Sequence, residues 1–225
     1  MYSPALISID GNIGSGKSTL LRKLRERNLD WHFIDEPVES WMALKNEGGE
    51  SLLELFYKDK RRWAYTFQNT DLLTRILNMK AAIAKWQAAG RPGRPIFITE
   101  RCVDTDAKVF AKIMLEEGDI DRLEWDLYRK WYDNFAWMAP SPVAYIHVDT
   151  PADICVKRIA ERARDGEGGI PEDYLRKLDG AHQEWLKGSG LKVPVMRYNN
   201  YSAEGQTSVE DVEKWVVQAW LNSID

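Results

Sequence analysis

Gly11-Asn12-Ile13-Gly14-Ser15-Gly16-Lys17-Ser18-Thr19 fits the pattern Gly-x-x-x-x-Gly-Lys-Ser/Thr, and its flanks decide the fold class. A short apolar run, Leu6-Ile7-Ser8-Ile9, leads in, and an amphipathic stretch from Lys17 to Arg27 leads out. Strand, glycine-rich turn and helix in that order make a phosphate-binding loop. At average glycine usage, a chance match somewhere in such a chain arises about once in a hundred. Glycines at 11, 14 and 16 allow the backbone to curl until its N–H groups converge on phosphate oxygens. Lys17 then reaches the β- and γ-phosphates, the Ser18 hydroxyl can ligate Mg²⁺, and the helix adds the positive end of its dipole. The whole run, through Asn12, Ile13, Gly14, Ser15, Gly16, Lys17 and Ser18 to Thr19, is expected to hold a nucleoside triphosphate such as ATP.

Beyond the loop, short apolar runs at Ala5 to Ile9, His32 to Asp35, Pro95 to Thr99, Val143 to Val148 and Pro194 to Tyr198 alternate with longer helical patterns. Helices are predicted over Lys17 to Arg27, Lys60 to Ala89, Asp104 to Glu117, Ile120 to Ala136, Ala152 to Arg164, Glu172 to Lys187 and Ser208 to Asn222. Unbroken apolar strands separated by helices imply an α/β fold, a parallel five-stranded sheet flanked by helices. In the long helix, Trp63, Phe67, Ile76, Leu77, Ile83 and Trp86 fall near one stripe at helical spacing. No internal repeat or long linker divides the chain, so residues 1–225 are expected to form a single doubly wound domain.

Of the 225 residues, 44% are apolar and 29% charged, an ordinary balance for a folded domain. The formal net charge of −4 argues against a nucleic-acid binder, which carries a basic excess on one face. Cys102 and Cys155 give neither a disulfide framework nor a zinc spacing, so a reducing, cytoplasmic setting is expected. No apolar run approaches the roughly 18 residues that span a bilayer, so no membrane partner is expected.

Acids and arginines collect where ligands of open α/β sheets bind. Glu36 follows the second strand and is placed to take the proton from an attacking hydroxyl. Glu100 and Arg101 follow the third strand, an acid suited to Mg²⁺ beside a cation suited to a transferring phosphoryl group. Arg158, Arg162 and Arg164 fall on a predicted helix and can converge over phosphates, although alone they also read as a solvated charged face.

Together these features resemble the deoxycytidine, deoxyguanosine and mitochondrial thymidine kinase family. The match takes in Gly11 to Thr19, Glu36-Pro37-Val38 with Trp41, Tyr57, and Arg62-Trp63-Ala64-Tyr65-Thr66-Phe67-Gln68. It continues through Glu100-Arg101, Arg158, Arg162-Ala163-Arg164, Glu167, Gly169-Ile170-Pro171 and Tyr174-Leu175. The resemblance implies a P-loop kinase fold with an Arg-rich lid at about 158–171. It also implies transfer of the ATP γ-phosphate to a deoxynucleoside 5′-hydroxyl with Mg²⁺, in nucleotide salvage. It makes Glu36 the general base, Arg101 and Lys17 its catalytic companions, and Ser18 and Glu100 the metal-side groups. Arg158, Arg162 and Arg164 become the lid over ATP, and Tyr57 and Glu167 hold the sugar 3′-hydroxyl. Gln68 reads the base edge, Phe67 and Phe110 sandwich the base, and Trp41, with Ile13, Val38 and Leu53, completes the wall.

Arg75 and Asp106 match the pair of the deoxycytidine and deoxyguanosine kinases, which favours deoxycytidine or a purine deoxynucleoside over thymidine. Two residues depart from the family pattern: Asp71, one turn before Arg75, and Cys102 in place of a serine. The resemblance also implies a homodimer through the long helix and the 120–136 helix, with Trp125, Tyr128 and Trp131 as candidate interface residues. Two alternatives remain open, a thymidylate-kinase-type monophosphate kinase and a P-loop NTPase switch. A furnished acceptor site ranks both lower.

Overall fold

β1 (Ala5–Gly11) is buried at every residue, as an unbroken apolar strand must be when its edges are paired and its faces covered. The computed structural model, which describes residues 4–90, 92–164, 169–202 and 205–224, puts this strand at the centre of a five-stranded sheet. The order is β2–β3–β1–β4–β5, with β2 (His32–Ile34), β3 (Ile96–Glu100), β4 (Ala144–Val148) and β5 (Val195–Tyr198) all parallel. Ile9 lies opposite Glu100, and Gly11 opposite Val148. The segments leaving these strands therefore emerge side by side at the carboxyl end of the sheet, where open α/β sheets take their ligands.

The helices are α1 (Lys17–Arg27), α2 (Val38–Ala43), α3 (Leu52–Lys58), α4 (Lys60–Ala88), α5 (Val103–Thr105), α6 (Ala111–Glu117), α7 (Arg122–Phe135), α8 (Ala152–Arg162), α9 (Glu172–Lys187) and α10 (Val209–Asn222). Strand alternation sends Ile7 and Ile9 against Leu20, Leu21 and Leu24 of α1 and Val212 and Val216 of α10. Leu6 and Phe97 face the other way, against Leu72, Ile76 and Met79 of α4 and Tyr128 of α7. A third cluster, with Trp41, Phe56 and Phe67, fills the space above the carboxyl end and walls the ligand cavity.

Several elements differ from the sequence expectation. α2 and α3 occupy a stretch in which no helix was predicted. α3 is nonetheless held by a capping box in which Ser51 Oγ accepts from the Glu54 N–H at 3.2 Å and Glu54 accepts from the Ser51 N–H at 2.7 Å. The predicted 104–117 helix is interrupted by a π-helical turn, Asp106–Phe110, between α5 and α6. α8 stops at Arg162 because Ala163 takes a left-handed φ of 48°, which puts Arg164 beyond the helix. Leu77 is exposed and leaves the predicted stripe, because neighbours on a helix are rotated about 100° apart. Tyr128 is fully buried in the core rather than at a free face, whereas Trp131 is exposed.

Candidate active site

The loop between β1 and α1 is built around three glycines with φ of 144° (Gly11), 75° (Gly14) and 102° (Gly16). A Cβ on Gly11 would sit 2.5 Å from the Val148 carbonyl oxygen, and one on Gly14 2.8 Å from that of Cys155, so only glycine fits there. Asn12 fastens the loop by donating from Nδ2 to the Leu175 carbonyl at 2.8 Å and accepting the Ile13 N–H at 2.9 Å. Buried Lys17 donates to the Asn12 carbonyl at 2.7 Å and lies 3.8 Å from Glu100. Burial, joined by the nearby Arg101 charge, pushes its ammonium down to about 8. The carbonyl of Ser15 accepts three bonds: from Thr150 Oγ1 at 3.0 Å, Arg158 Nη1 at 2.9 Å and Asn200 Nδ2 at 2.8 Å. Asn200 follows β5, and only the tertiary fold carries that segment to the phosphate loop.

Beside the loop lies a cluster of opposed charges. Glu36 Oε1 accepts from Arg75 Nη2 at 3.0 Å and from Arg101 Nη1. Burial raises the Glu36 carboxyl, but Arg101, Arg75 and Lys17 together outweigh burial and hold it well below the usual carboxylate range. Arg101 also donates to the Gly11 carbonyl at 3.2 Å, its guanidinium lies 4.8 Å from the Phe110 ring centroid, and its buried Nε has no hydrogen-bond partner among the described residues. It takes this position from a left-handed backbone (φ 60°), a strained conformation for a non-glycine residue, directly after β3. Arg75 bonds Asp106 and the Glu100 carbonyl as well, and its Nε lies 2.8 Å from Asp71 Oδ1. Burial pushes the Asp71 and Asp106 carboxyls up, and Arg75 opposes it in both.

These groups open onto one cavity of about 370 Å³. Its wall includes Ile13, Lys17, Ser18, Glu36, Val38, Trp41, Leu53, Tyr57, Phe67, Gln68, Arg75, Glu100, Arg101 and Phe110. Arg158, Arg162 and Arg164 reach the same space although Arg164 lies off the helix. Phe67 stacks on Phe56 at 4.5 Å between centroids and meets the Trp41 ring edge-on at 5.2 Å, which makes one wall rigid and aromatic. Phe56, Asp71 and Tyr174 also line the cavity without having been assigned to it from sequence. Asp106 is fully buried and does not form part of the wall. Glu167 lies outside the described residues, as does the rest of 165–168 within the expected lid.

The site suits a triphosphate and a hard divalent cation. Its curled backbone leaves no room for a Cβ, Lys17 and five arginines face the cavity, and Ser18 and Glu100 offer oxygen donors. Among the described residues His147, Asp149 and Asp179 form an acid–histidine group, in which Asp149 ion-pairs with Arg197.

The sequence matches the family model for deoxynucleoside kinase over residues 7–223. It is 36% identical to a probable deoxycytidine kinase of fowlpox virus (strain NVSL), across 86% of this chain and 77% of the relative. It is 33% identical to deoxycytidine kinase 2 of Gallus gallus, across 83% of this chain and 76% of the relative. A mitochondrial deoxyguanosine kinase of Xenopus laevis is 31% identical, across 86% and 77%.

Proposed function

The chain belongs to the deoxynucleoside kinase family, ATP-dependent phosphotransferases, and on that premise we propose that it moves the γ-phosphate of ATP onto the 5′-hydroxyl of a deoxynucleoside seated against Phe67 and Phe110. The observation that carries this reading is Glu36: a carboxylate gripped by two guanidiniums where the apolar cavity meets the phosphate loop.

In this reading the 5′-oxygen attacks the γ-phosphorus as the bond to the β-phosphate oxygen breaks, and the hydroxyl proton passes to Glu36. A carboxylate held this acidic is a weak base. Phosphoryl transfer tolerates that, because in a loose transition state the hydroxyl gives up its proton late. Glu36 chiefly orients the hydroxyl and stays ionised to receive the proton. Arg101, whose Nε has no partner among the described residues, and Lys17 stabilise the charge that spreads over the phosphoryl oxygens. Mg²⁺, held by Ser18 and Glu100, would supply further neutralisation of the triphosphate. Arg158, Arg162 and Arg164 close over the phosphates and exclude water, so the nucleoside attacks instead. Tyr57, with Glu167, holds the 3′-hydroxyl, and Gln68 meets the base edge. The ionised Glu36 carboxylate on the acceptor side makes a substrate that already bears a phosphate unwelcome.

Leu123, Leu127, Trp131 and Phe135 of α7 recur one turn apart and are exposed, beside exposed Leu73 and Leu77 of α4. This apolar face supports a homodimer through α4 and α7. Among the described residues no helix is long and apolar enough to cross a membrane, and Cys102 and Cys155 are both free and buried. We place the enzyme in cytoplasmic nucleotide salvage. The test of the activity is ADP formation from Mg-ATP with and without deoxynucleosides, with product analysis for a 5′-monophosphate.

A further inference from the structure

We infer that Thr99 and Thr105, the second oriented by Asp10, are positioning residues for phosphoryl transfer. Their hydroxyls lock the peptide that follows Arg101, and so hold the strained backbone that aims its guanidinium at the reacting phosphate. The inference rests on the kinase reading above and concerns the machinery of that same site. Successive side chains of an extended strand point to opposite faces. Glu100 ends β3 and Arg101 follows it directly, yet both line the cavity. The left-handed φ of 60° at Arg101 makes this possible, because it breaks the alternation. A non-glycine residue keeps such a conformation only where its surroundings over-determine it.

All four polar groups of the two peptides that flank the Arg101 Cα are hydrogen-bonded. Before it, the Glu100 carbonyl accepts from Arg75 Nη1 at 3.0 Å, and the Arg101 N–H donates to the Ile9 carbonyl at 3.0 Å. After it, the Arg101 carbonyl accepts from Thr99 Oγ1 at 2.9 Å, and the Cys102 N–H donates to Thr105 Oγ1 at 3.1 Å. The first peptide plane sets φ and the second sets ψ, so the two threonine hydroxyls fix ψ. Thr105 is aligned in turn. Its own proton goes to Asp10 Oδ1, and the other oxygen of that carboxyl accepts from Ser8 Oγ at 2.6 Å. Ser8, Asp10, Thr99 and Thr105 are all buried, so solvent does not replace these bonds. Asp10 stands directly before Gly11, whose carbonyl accepts from Arg101 Nη2 at 3.2 Å. Backbone and guanidinium of Arg101 are thus fastened to the stretch of β1 that runs into the phosphate loop. Asp10, Thr99 and Thr105 do not line the ligand cavity, so they act through Arg101.

The deciding measurement is kcat and KM for Mg-ATP and a deoxynucleoside with the wild type, Thr105→Val, Thr105→Ser, Thr99→Val and Thr99→Ser. Each is assayed well below its melting temperature. Valine keeps the side-chain volume and deletes the hydroxyl, whereas serine keeps the hydroxyl. Each valine variant should lower kcat about tenfold, the size of one lost hydrogen bond, with both KM values within about twofold of wild type. Each serine variant should restore kcat to within about threefold of wild type. A merely structural role would lower the melting temperature of the valine variants and leave kcat per folded molecule unchanged. Should Thr105→Val not fold, Thr99→Val decides, because it removes the bond at the other end of the same peptide. Valine variants with wild-type kcat, a loss carried by KM alone, or serine variants as slow as the valines would overturn the positioning role while leaving the kinase reading standing. Absence of nucleoside-dependent turnover in the wild type would remove the kinase reading itself, and this inference with it.

Discussion

Removing the Glu36 side chain should separate its two tasks, because the carboxylate serves two guanidiniums unequally. Arg75 would keep Asp106 at 3.1 Å, the Glu100 carbonyl at 3.0 Å and the nearby Asp71. Arg101, also buried, would keep the Gly11 carbonyl at 3.2 Å and its stacking on Phe110 but lose its ion-pair partner. Breaking one side of a buried ion pair costs about 3–5 kcal/mol, which for a chain of this size lowers Tm by roughly 6–20 °C. Glu36→Ala should therefore be both unstable and inactive. Glu36→Gln keeps an oxygen for Arg101 to donate to, so its Tm should fall less. It has no carboxylate to take the proton, so kcat should fall about 10²–10⁴-fold. The assay is steady-state kcat and KM for both substrates beside a thermal melt of each variant. A Glu36→Gln enzyme with kcat within about threefold of wild type would refute the proton-accepting role outright.

Two further outcomes follow from the same geometry. The exposed face of α7 predicts a particle of twice the 26.0 kDa chain mass, and Trp131→Glu, which puts a charge in that face, should give monomers by sedimentation equilibrium; a monomeric wild type would count against the dimer. Burial raises the Asp71 and Asp106 carboxyls in the folded state, so that state holds protons the unfolded chain releases, and stability falls as pH rises through the folded values. Asp71→Asn should thus melt higher than wild type, with the gap wider near pH 8 than near pH 5, and about 1 kcal/mol would appear as roughly 2–4 °C. A gap that is constant or reversed would mean that the two acids titrate normally.

The parts of this site legible in the sequence were those that local rules determine. The glycine spacing in Gly11 to Thr19 fits a loop that leaves no room for side chains, and the parallel sheet shows as unbroken apolar runs. Glu36, Glu100 and Arg101 could be placed because residues at or just past the carboxyl ends of the strands gather on one side of the sheet. α3 was readable in principle, since Ser51 and Glu54 form a capping signal, but its short apolar run gave no clear period. The π-helical turn at Asp106–Phe110 left no sequence mark, because it changes the turn width without changing residue types. Asn200 illustrates a different limit. Its partner, the Ser15 carbonyl, lies far away in the chain, so a role visible only as a hydrogen bond had no local signature.

Kinase activity is decided by ADP formation from Mg-ATP with each of the four deoxynucleosides, against a blank without acceptor and a deoxynucleoside monophosphate. Near silence is expected in the blank and with the monophosphate, and turnover with at least one deoxynucleoside that yields its 5′-monophosphate. Equal turnover in the blank, or turnover with the monophosphate alone, would contradict it.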